Sequence, residues 1–492
     1  MKSRFAIFSA SFAIAISSAT GQEVAPKIFV DPNPPKFSEP KPGVFDGAKD
    51  FAELTYHAAP KPLAKGAVTA EFPRFLGPSD DGKSPETHLL AKFPEGGLKP
   101  VWEMRKGTGY TSAIIVNDRL FLFDRIGDEE TLQCLDPLTG KEFWRTGYPI
   151  EYRDRYGFSN GPRASAVVDG GKVYTIGVTA ILSCHDVSSG SVLWRRDLTA
   201  DFELPTYFFG YGSCPIIYDG KIILNLGGKG NLAVAAFDQH TGKLVWGTQH
   251  EWRASYASPL IKKLRGDDRL LVFAGGESDP PTGGLLCIDP KTGTLFDSFP
   301  WRAPKFESVN GSNPVALGEN RVYISEAYVI GGVCLELTEN LKWKEVWKAP
   351  FAGSHWTTPQ VLDGNIYAFR GRNEPDAWLV GYNGKTGDEL WRKETLWQEK
   401  LPGGRDYNLS YFRGCMLHAD GRNYALGELG TLGILKFSEE GYEEIDRTQL
   451  FFAQSTWSLP VISKGLLYIS QHQTDFVSKT PARLICYDLR GE

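Results

Sequence analysis

Between about residue 100 and the C-terminus the chain repeats one cassette eight times. A small polar lead-in precedes an apolar strand, a turn, a Tyr-rich strand and a Leu-x-Cys/Ala-x-Asp strand, and the cassette closes on Thr-Gly and a Trp. A period of roughly 50 residues fits four short strands with their loops, which is one blade of a β-propeller. Helical solenoid repeats are shorter, so the periodicity predicts an all-β, eight-bladed propeller of four-stranded antiparallel sheets.

The clearest copies end in Asp136 to Gly140 with Trp144, Asp238 to Gly242 with Trp246, and Asp289 to Gly293 with Trp301. Weaker copies run from Asp186 to Gly190 with Trp194 and from Asn383 to Gly387 with Trp391. Glu336 to Asn340 precedes Trp343 and Trp347, Phe437 to Gly441 keeps only the turn, and the last copy stops at Asp488 and Gly491. In each turn the Asp side chain can accept from turn amides while Gly, or Asn340 in the fifth copy, takes positive φ. The Trp then falls on the outermost strand, where its ring covers the neighbouring blade.

The last copy lacks a fourth strand. An orphan strand at Pro100 to Met104, carrying Trp102, precedes the first full copy. Its pairing beside the strand of Cys486 would close the ring and remove both open sheet edges.

Upstream of the repeats, Lys2 and Arg4 precede an apolar run from Phe5 to Ile16 and small residues to Gly21, the pattern of a secretory signal over residues 1–21. Residues 22–66 hold eight prolines among charges and read as a linker. Residues 67–99 form a transition segment whose aromatics, Phe72 and Phe75, are expected on the propeller rim. Asp80-Asp81-Gly82 fits a turn, or a cation site. No cysteine precedes Cys134, which predicts no lipid anchor, and no apolar run reaches the length of a membrane span. The expected compartment is periplasmic or otherwise exported. A net charge of -5 leaves no basic stripe for nucleic acid.

Five of the seven cysteines, Cys134, Cys184, Cys287, Cys334 and Cys486, stand two residues before the Asp-like position of different copies. Packed sheets lie about 10 Å apart and a disulfide needs Cα atoms within about 7 Å, so these are expected to be buried thiols. Cys214 and Cys415 fall in blades facing each other across the ring, and are expected to stay unpaired as well.

The Ala/Cys-x-Asp-x-x-Thr-Gly-x-x-x-Trp pattern over residues 100–492 resembles the PQQ-like β-propeller repeat. Quinoprotein alcohol dehydrogenases and the outer-membrane protein assembly factor of Gram-negative bacteria share that repeat. Phe72 to Gly82 and Gly275 to Gly284 are similar to segments of exported PQQ-like proteins of planctomycete-type bacteria. The resemblance implies the fold, but catalytic and non-catalytic members share it. Quinoprotein dehydrogenases carry two adjacent cysteines beside the quinone, and this chain has none.

In a propeller the lead-ins of the innermost strands converge on one face of the ring, which makes them the place to look for a site. They supply Tyr110, Asn160, Arg163, Tyr211, Tyr256, Asn310, Asn313, His355, Trp356, Tyr411, Arg413 and Trp457 as candidate ligand-binding residues. Aromatic faces can stack a flat ligand, and Arg163 and Arg413 can pair with carboxylates such as those of pyrroloquinoline quinone (PQQ). Asn310, Asn313 and Glu307 offer oxygen ligands for Ca²⁺, and Glu307 or Asp406 is the candidate catalytic base under a dehydrogenase reading. The same lead-ins also fit a plain polar channel mouth, with His355 structural. Glu151, Arg153, Asp154 and Arg155 form a charge run after the first blade, either a solvated rim or a loop over the channel.

The repeats read as scaffold and the diagnostic redox elements are absent. The leading expectation is therefore an exported binding scaffold, not an enzyme, presenting its channel face to a ligand or protein partner. One alternative is a PQQ- and Ca²⁺-dependent alcohol or sugar dehydrogenase, and another is a polysaccharide-binding propeller.

Overall fold

The computed structural model describes residues 47–372, 377–401 and 404–492. The expected signal segment and the first part of the Pro-rich stretch lie outside them. Eight blades close into a ring. Blade 1 comprises Ile114–Val116, Arg119–Ile126, Glu129–Leu135 and Glu142–Pro149. Blades 2 to 7 follow at 167–197, 216–249, 260–300, 315–349, 360–393 and 415–449.

Blade 8 is built from both ends of the described chain. Val461–Ser463, Leu466–Gln471 and Arg483–Asp488 are joined by Pro100–Arg105, with Trp102 directly opposite Cys486. A fifth strand, Leu54–Tyr56, then pairs antiparallel with Pro100–Arg105. It lies in the stretch expected to be linker. Leu54, Thr55 and Tyr56 suit a pleated edge, and their backbone covers the edge that the closing strand would otherwise leave open.

One position organises every blade. The residue two before the Asp-like position faces a fixed slot on the outer strand: Cys134 faces Trp144, Cys184 Trp194, Ala236 Trp246, Cys334 Trp347 and Gly381 Trp391. A bulge follows the slot in each of these blades, adding local twist. The rings of Trp144, Trp194, Trp246 and Trp347 lie over the turn glycine of the next blade. At Gly190 an added Cβ would stand 2.4 Å from the Trp144 ring, and at Gly387 2.4 Å from the Trp347 ring. Trp144 Nε1 also donates to Val187 O at 3.0 Å, tying blade 1 to blade 2. All seven cysteines are free and buried.

Blades 4 and 7 depart from this rule. Their slots hold Asp297, opposite Cys287, and Asp446, opposite Ile434. Trp301, expected in the fourth slot, lies past the strand end and donates to Gly331 O at 3.3 Å. The carboxylates serve the seam differently: Asp297 accepts from Trp343 N, and Asp446 from Phe93 N, both at 2.7 Å. In the fifth blade the positive φ falls on Leu341 (φ 56), not on Asn340, because that turn closes from Thr338 O to Leu341 N.

Within the transition segment Phe72 lies not on the rim but on an innermost strand, while Phe93 reaches the outer strand of blade 7. Residues 70–84 cross the ring at the end of the channel away from the lead-ins, touching the innermost strands of six blades. Phe72 exchanges backbone hydrogen bonds with Ile115, Pro73 O accepts from Val168 N, and Gly82 O accepts from His418 N. Lys262 Nζ, Gln360 Nε2 and Ser463 Oγ donate to backbone carbonyls of the same segment. Phe72 and Leu76 are buried in the core that it shares with blades 1, 7 and 8. Backbone groups at the narrow end of a ring of strands need partners, and this crossing chain supplies them. Asp80 is bound by the Arg74 guanidinium at 2.6 and 3.0 Å, while Asp81 accepts from Ser79 Oγ and Lys83 N. The Asp-Asp-Gly element is thus an ion-paired turn.

An additional hairpin, Leu396–Lys400 with Asp406–Ser410, stands between blades 6 and 7 and belongs to neither. Its Trp397 packs edge-on against Tyr411, under the Arg447 guanidinium.

Candidate channel-face binding site

The lead-ins do converge, and loops between blades fill the space between them. Trp457, before blade 8, has ring contacts with Tyr110 before blade 1, Trp356 before blade 6, and Phe158 in the loop between blades 1 and 2. Phe158 contacts Phe209, which meets Tyr256 before blade 4, and Phe208 meets Phe306 between blades 4 and 5. Centroid separations of 5.1 to 5.9 Å make this one aromatic layer spanning the ring. Tyr156 is 53% exposed, Phe158 43% and Phe306 52%. The layer therefore ends in an apolar patch facing solvent.

Buried acids hold the layer in place. Glu277 accepts from Phe208 N at 2.8 Å and from the Tyr256 hydroxyl at 3.2 Å, and Tyr256 in turn accepts from Phe209 N at 2.9 Å. Burial pushes the Glu277 carboxyl above the usual range, and Oε2 has no partner. Glu326 accepts from Ser308 Oγ and Tyr328 N, and burial raises its carboxyl to about 7. Glu428 receives Arg413 through Nε and Nη2, at 3.2 and 2.7 Å, and also the Trp457 indole N–H at 2.5 Å.

Of the candidate residues, Tyr110, Arg163, Tyr256, His355, Trp356, Arg413 and Trp457 gather at this face. Arg163 is paired with the buried Asp154 at 2.6 Å. His355 Nδ1 lies 3.3 Å from Arg413 Nη1, and burial followed by the Arg413 and Arg372 charges lowers its pKa to about 3, so the ring is neutral. Asn160 sits in the 151–160 loop, its Oδ1 accepting from Asp154 N. Tyr211 and Tyr411 lie inside the blades, bonded to Asn225 O and Glu444. Asn310 donates to Ala274 O and Trp301 O, tying blade 5 to blade 4, while Asn313 accepts from Ser258 N before blade 4 and donates to Thr358 Oγ1 before blade 6. Glu307 is exposed on a loop, and Asp406 is exposed on the additional hairpin. In the charge run, Asp154 is buried on Arg163 and Arg155 lies over Phe208 and Tyr156, which places this loop on the channel mouth.

These positions test a quinone and its calcium ion. Both arginines already neutralise internal carboxylates, Asn313 is bonded through both ends of its amide, Asn310 Oδ1 is a single unpartnered oxygen where Ca²⁺ takes six or more, and the aromatic layer occupies the centre. Among the described residues no group of three or more His, Cys, Asp or Glu is placed to hold a metal ion. The residues as arranged do not fit PQQ with Ca²⁺.

Sequence reasoning missed Tyr156, Phe158, Phe208, Phe209 and Phe306, together with Glu277, Glu326 and Glu428. The aromatics lie outside the repeating positions. Their one visible signal is clustering in three of the longer interblade connections, 150–166, 198–215 and 301–314.

Blade count, closure and the Cys-Trp slot define an eight-bladed β-propeller. A family model described as "Outer membrane protein assembly factor BamB" matches residues 128–344. A protein of that name from Burkholderia pseudomallei (strain K96243) is 23% identical over 368 residues, covering 72% of this chain and 82% of its own. The solved structure of BamB from Moraxella catarrhalis superposes with a TM-score of 0.54 at 13% identity, covering 80% of this chain and 99% of that one. Quinohemoprotein alcohol dehydrogenase from Comamonas testosteroni gives 0.58 at 11% identity, covering 86% and 81%. These structures share the fold. Among the described residues no helix is long and apolar enough to cross a membrane.

Proposed function

We propose that the protein is an exported, periplasmic scaffold that holds a protein partner on its channel face, without catalysing a reaction there. The observation that carries this is the aromatic patch of Tyr156, Phe158 and Phe306, exposed at the centre of the face and anchored from beneath by Glu277 and Glu428. Buried aromatic anchors dominate protein interfaces, and rigid ones lose little side-chain entropy on binding. The opposite end of the channel is crossed by residues 70–84, so a partner meets a surface rather than a tunnel. The names of the relatives, assembly factors of outer-membrane proteins, agree with a protein partner.

Photo-crosslinking in cells distinguishes this reading, with the probe at position 306 or at position 219, in an exposed turn at the other end of blade 3. We expect a protein adduct from 306 alone, abolished by Phe158→Ser. Equal adducts from both positions, or none, would overturn it. So would stoichiometric binding of added PQQ with Ca²⁺ and dye reduction by alcohols. Retention of polysaccharide at the face would replace the protein partner with a glycan.

A further inference from the structure

The loop that carries Phe306 to the channel face is held on both sides of its tip by one buried carboxyl. Residues 301–314 join the outer strand of blade 4 to the inner strand of blade 5, and Pro304, Lys305, Phe306 and Glu307 are exposed at the tip. After the tip, Ser308 Oγ donates to Glu326 Oε1 at 3.0 Å, and before it the Ala303 backbone N–H bears on the same carboxyl. Glu326 ends the strand Arg321–Glu326, and its Oε1 also accepts from Tyr328 N at 3.2 Å. This side chain therefore joins the loop to the framework of blade 5.

The neighbouring cation is engaged elsewhere. Arg302 donates to Gly275 O at 3.0 Å, Phe306 O at 3.2 Å and Ser308 O at 2.6 Å, and it forms no ion pair among the described residues. Glu326 Oε2 is buried and has no partner. Glu277, in the connection after the second strand of blade 4, serves Phe208 N and the Tyr256 hydroxyl instead. Beyond Tyr328 stand Arg372, with its guanidinium 4.4 Å from that ring, and the neutral His355. Glu307 faces solvent.

Protonated, Glu326 leaves no bare charge in this site, and burial raises its carboxyl to about 7. Ionised, it puts a negative oxygen without a donor into a desolvated site. Relief comes from Arg302, whose N–H groups would have to leave Phe306 O and Ser308 O, or from water, which enters as the loop lifts. Either route frees the tip. We propose, resting on the channel-face reading above, that Glu326 is a proton-operated pin for the aromatic patch: its neutral form holds the Phe306 loop in the docking arrangement, and its ionised form releases it.

The test is electron paramagnetic resonance of a nitroxide attached at Lys305→Cys, an exposed position in a protein whose seven native cysteines are buried. We expect the label to be immobilised at about pH 6 and several-fold more mobile at about pH 8. Glu326→Gln keeps an acceptor for Ser308 and Tyr328 but cannot ionise, and should hold the label immobilised at both pH values. Glu326→Ala removes the pin and should leave the label mobile at both; should that variant not fold, Glu326→Gln decides alone. Glu277→Gln should leave the transition in place. A line shape indifferent to pH, a transition that survives Glu326→Gln, or one abolished by Glu277→Gln would each overturn the proposal. These spectra need no partner, so failure of crosslinking from position 306 would end the channel-face reading and leave the pin standing.

Discussion

The two ends of a blade obey different rules. At the turn end, Gly140, Gly190, Gly242, Gly293 and Gly387 each hold a positive φ under a tryptophan ring from the preceding blade, so one arrangement recurs around most of the ring. At the channel end blades 6 and 8 present a Trp and blades 1 and 4 a Tyr, and the exposed aromatics come from loops outside the repeat. The turn end is stabilised by repeated close packing, and the channel end by single acids such as Glu277 and Glu428, each serving one contact set. Stability and recognition are therefore carried by separate surfaces, and substitutions should divide accordingly.

The sharpest break would come at closure. Trp102 is fully buried, and its indole donates to Pro137 O at 2.9 Å, so Trp102→Ala should cost about 3–5 kcal/mol in denaturant unfolding. A loss below about 1 kcal/mol would mean that the ring does not depend on this seam. Next comes Gly190→Ala, which combines left-handed backbone (φ 70) with a Cβ 2.4 Å from the Trp144 ring, for a loss of about 3 kcal/mol. Gly157, also at positive φ but with open space around it, is the control and should lose only the backbone part, about 1–2 kcal/mol.

A smaller effect, visible in its pH dependence, belongs to the channel end. The folded Glu326 carboxyl is raised to about 7 from an ordinary 4.5, mainly by burial. Because the fold favours its protonated form, the stabilisation is complete below the unfolded value and is lost as pH rises toward 7. Unfolding free energy should fall by on the order of 2 kcal/mol between pH 5 and 8, and Glu326→Gln should flatten that slope. An unchanged slope would place the titration elsewhere. The smallest stability effect should come from Phe158→Ser, within about 0.5 kcal/mol, as for exposed positions generally, while partner crosslinking from position 306 is lost. A large stability loss there would erase the distinction between the two ends.

Blade number, the buried thiols and the pairing of Trp102 with Cys486 were legible because they repeat or complete a repeat. Misreadings arise where residue type is followed over register. Trp301 is the next Trp after Gly293 but lies eight residues on, whereas the four-residue spacing of the other copies marks position 297, where Asp297 pairs with Cys287. Leu341 replaces Asn340 at the positive φ because the Leu341 N–H donates to Thr338 O, and that bond chooses the turn. At the channel face, composition named Arg163 and Arg413 but not their partners. Asp154 is nine residues away from Arg163 and Glu428 is fifteen from Arg413, at positions no repeat marks.

By itself the sequence determined the ring, because strand alternation, turn chemistry and a recurring Trp are local properties summed over eight copies. Only the tertiary structure decided that residues 70–84 cross one end of the channel, that Leu54–Tyr56 extends the closing blade, and that the arginines of the other end are already paired. Each of these depends on groups distant in the chain meeting at the axis or the seam of the ring. Desolvation there rewards a partner by its position in space, and no pattern along the chain records it.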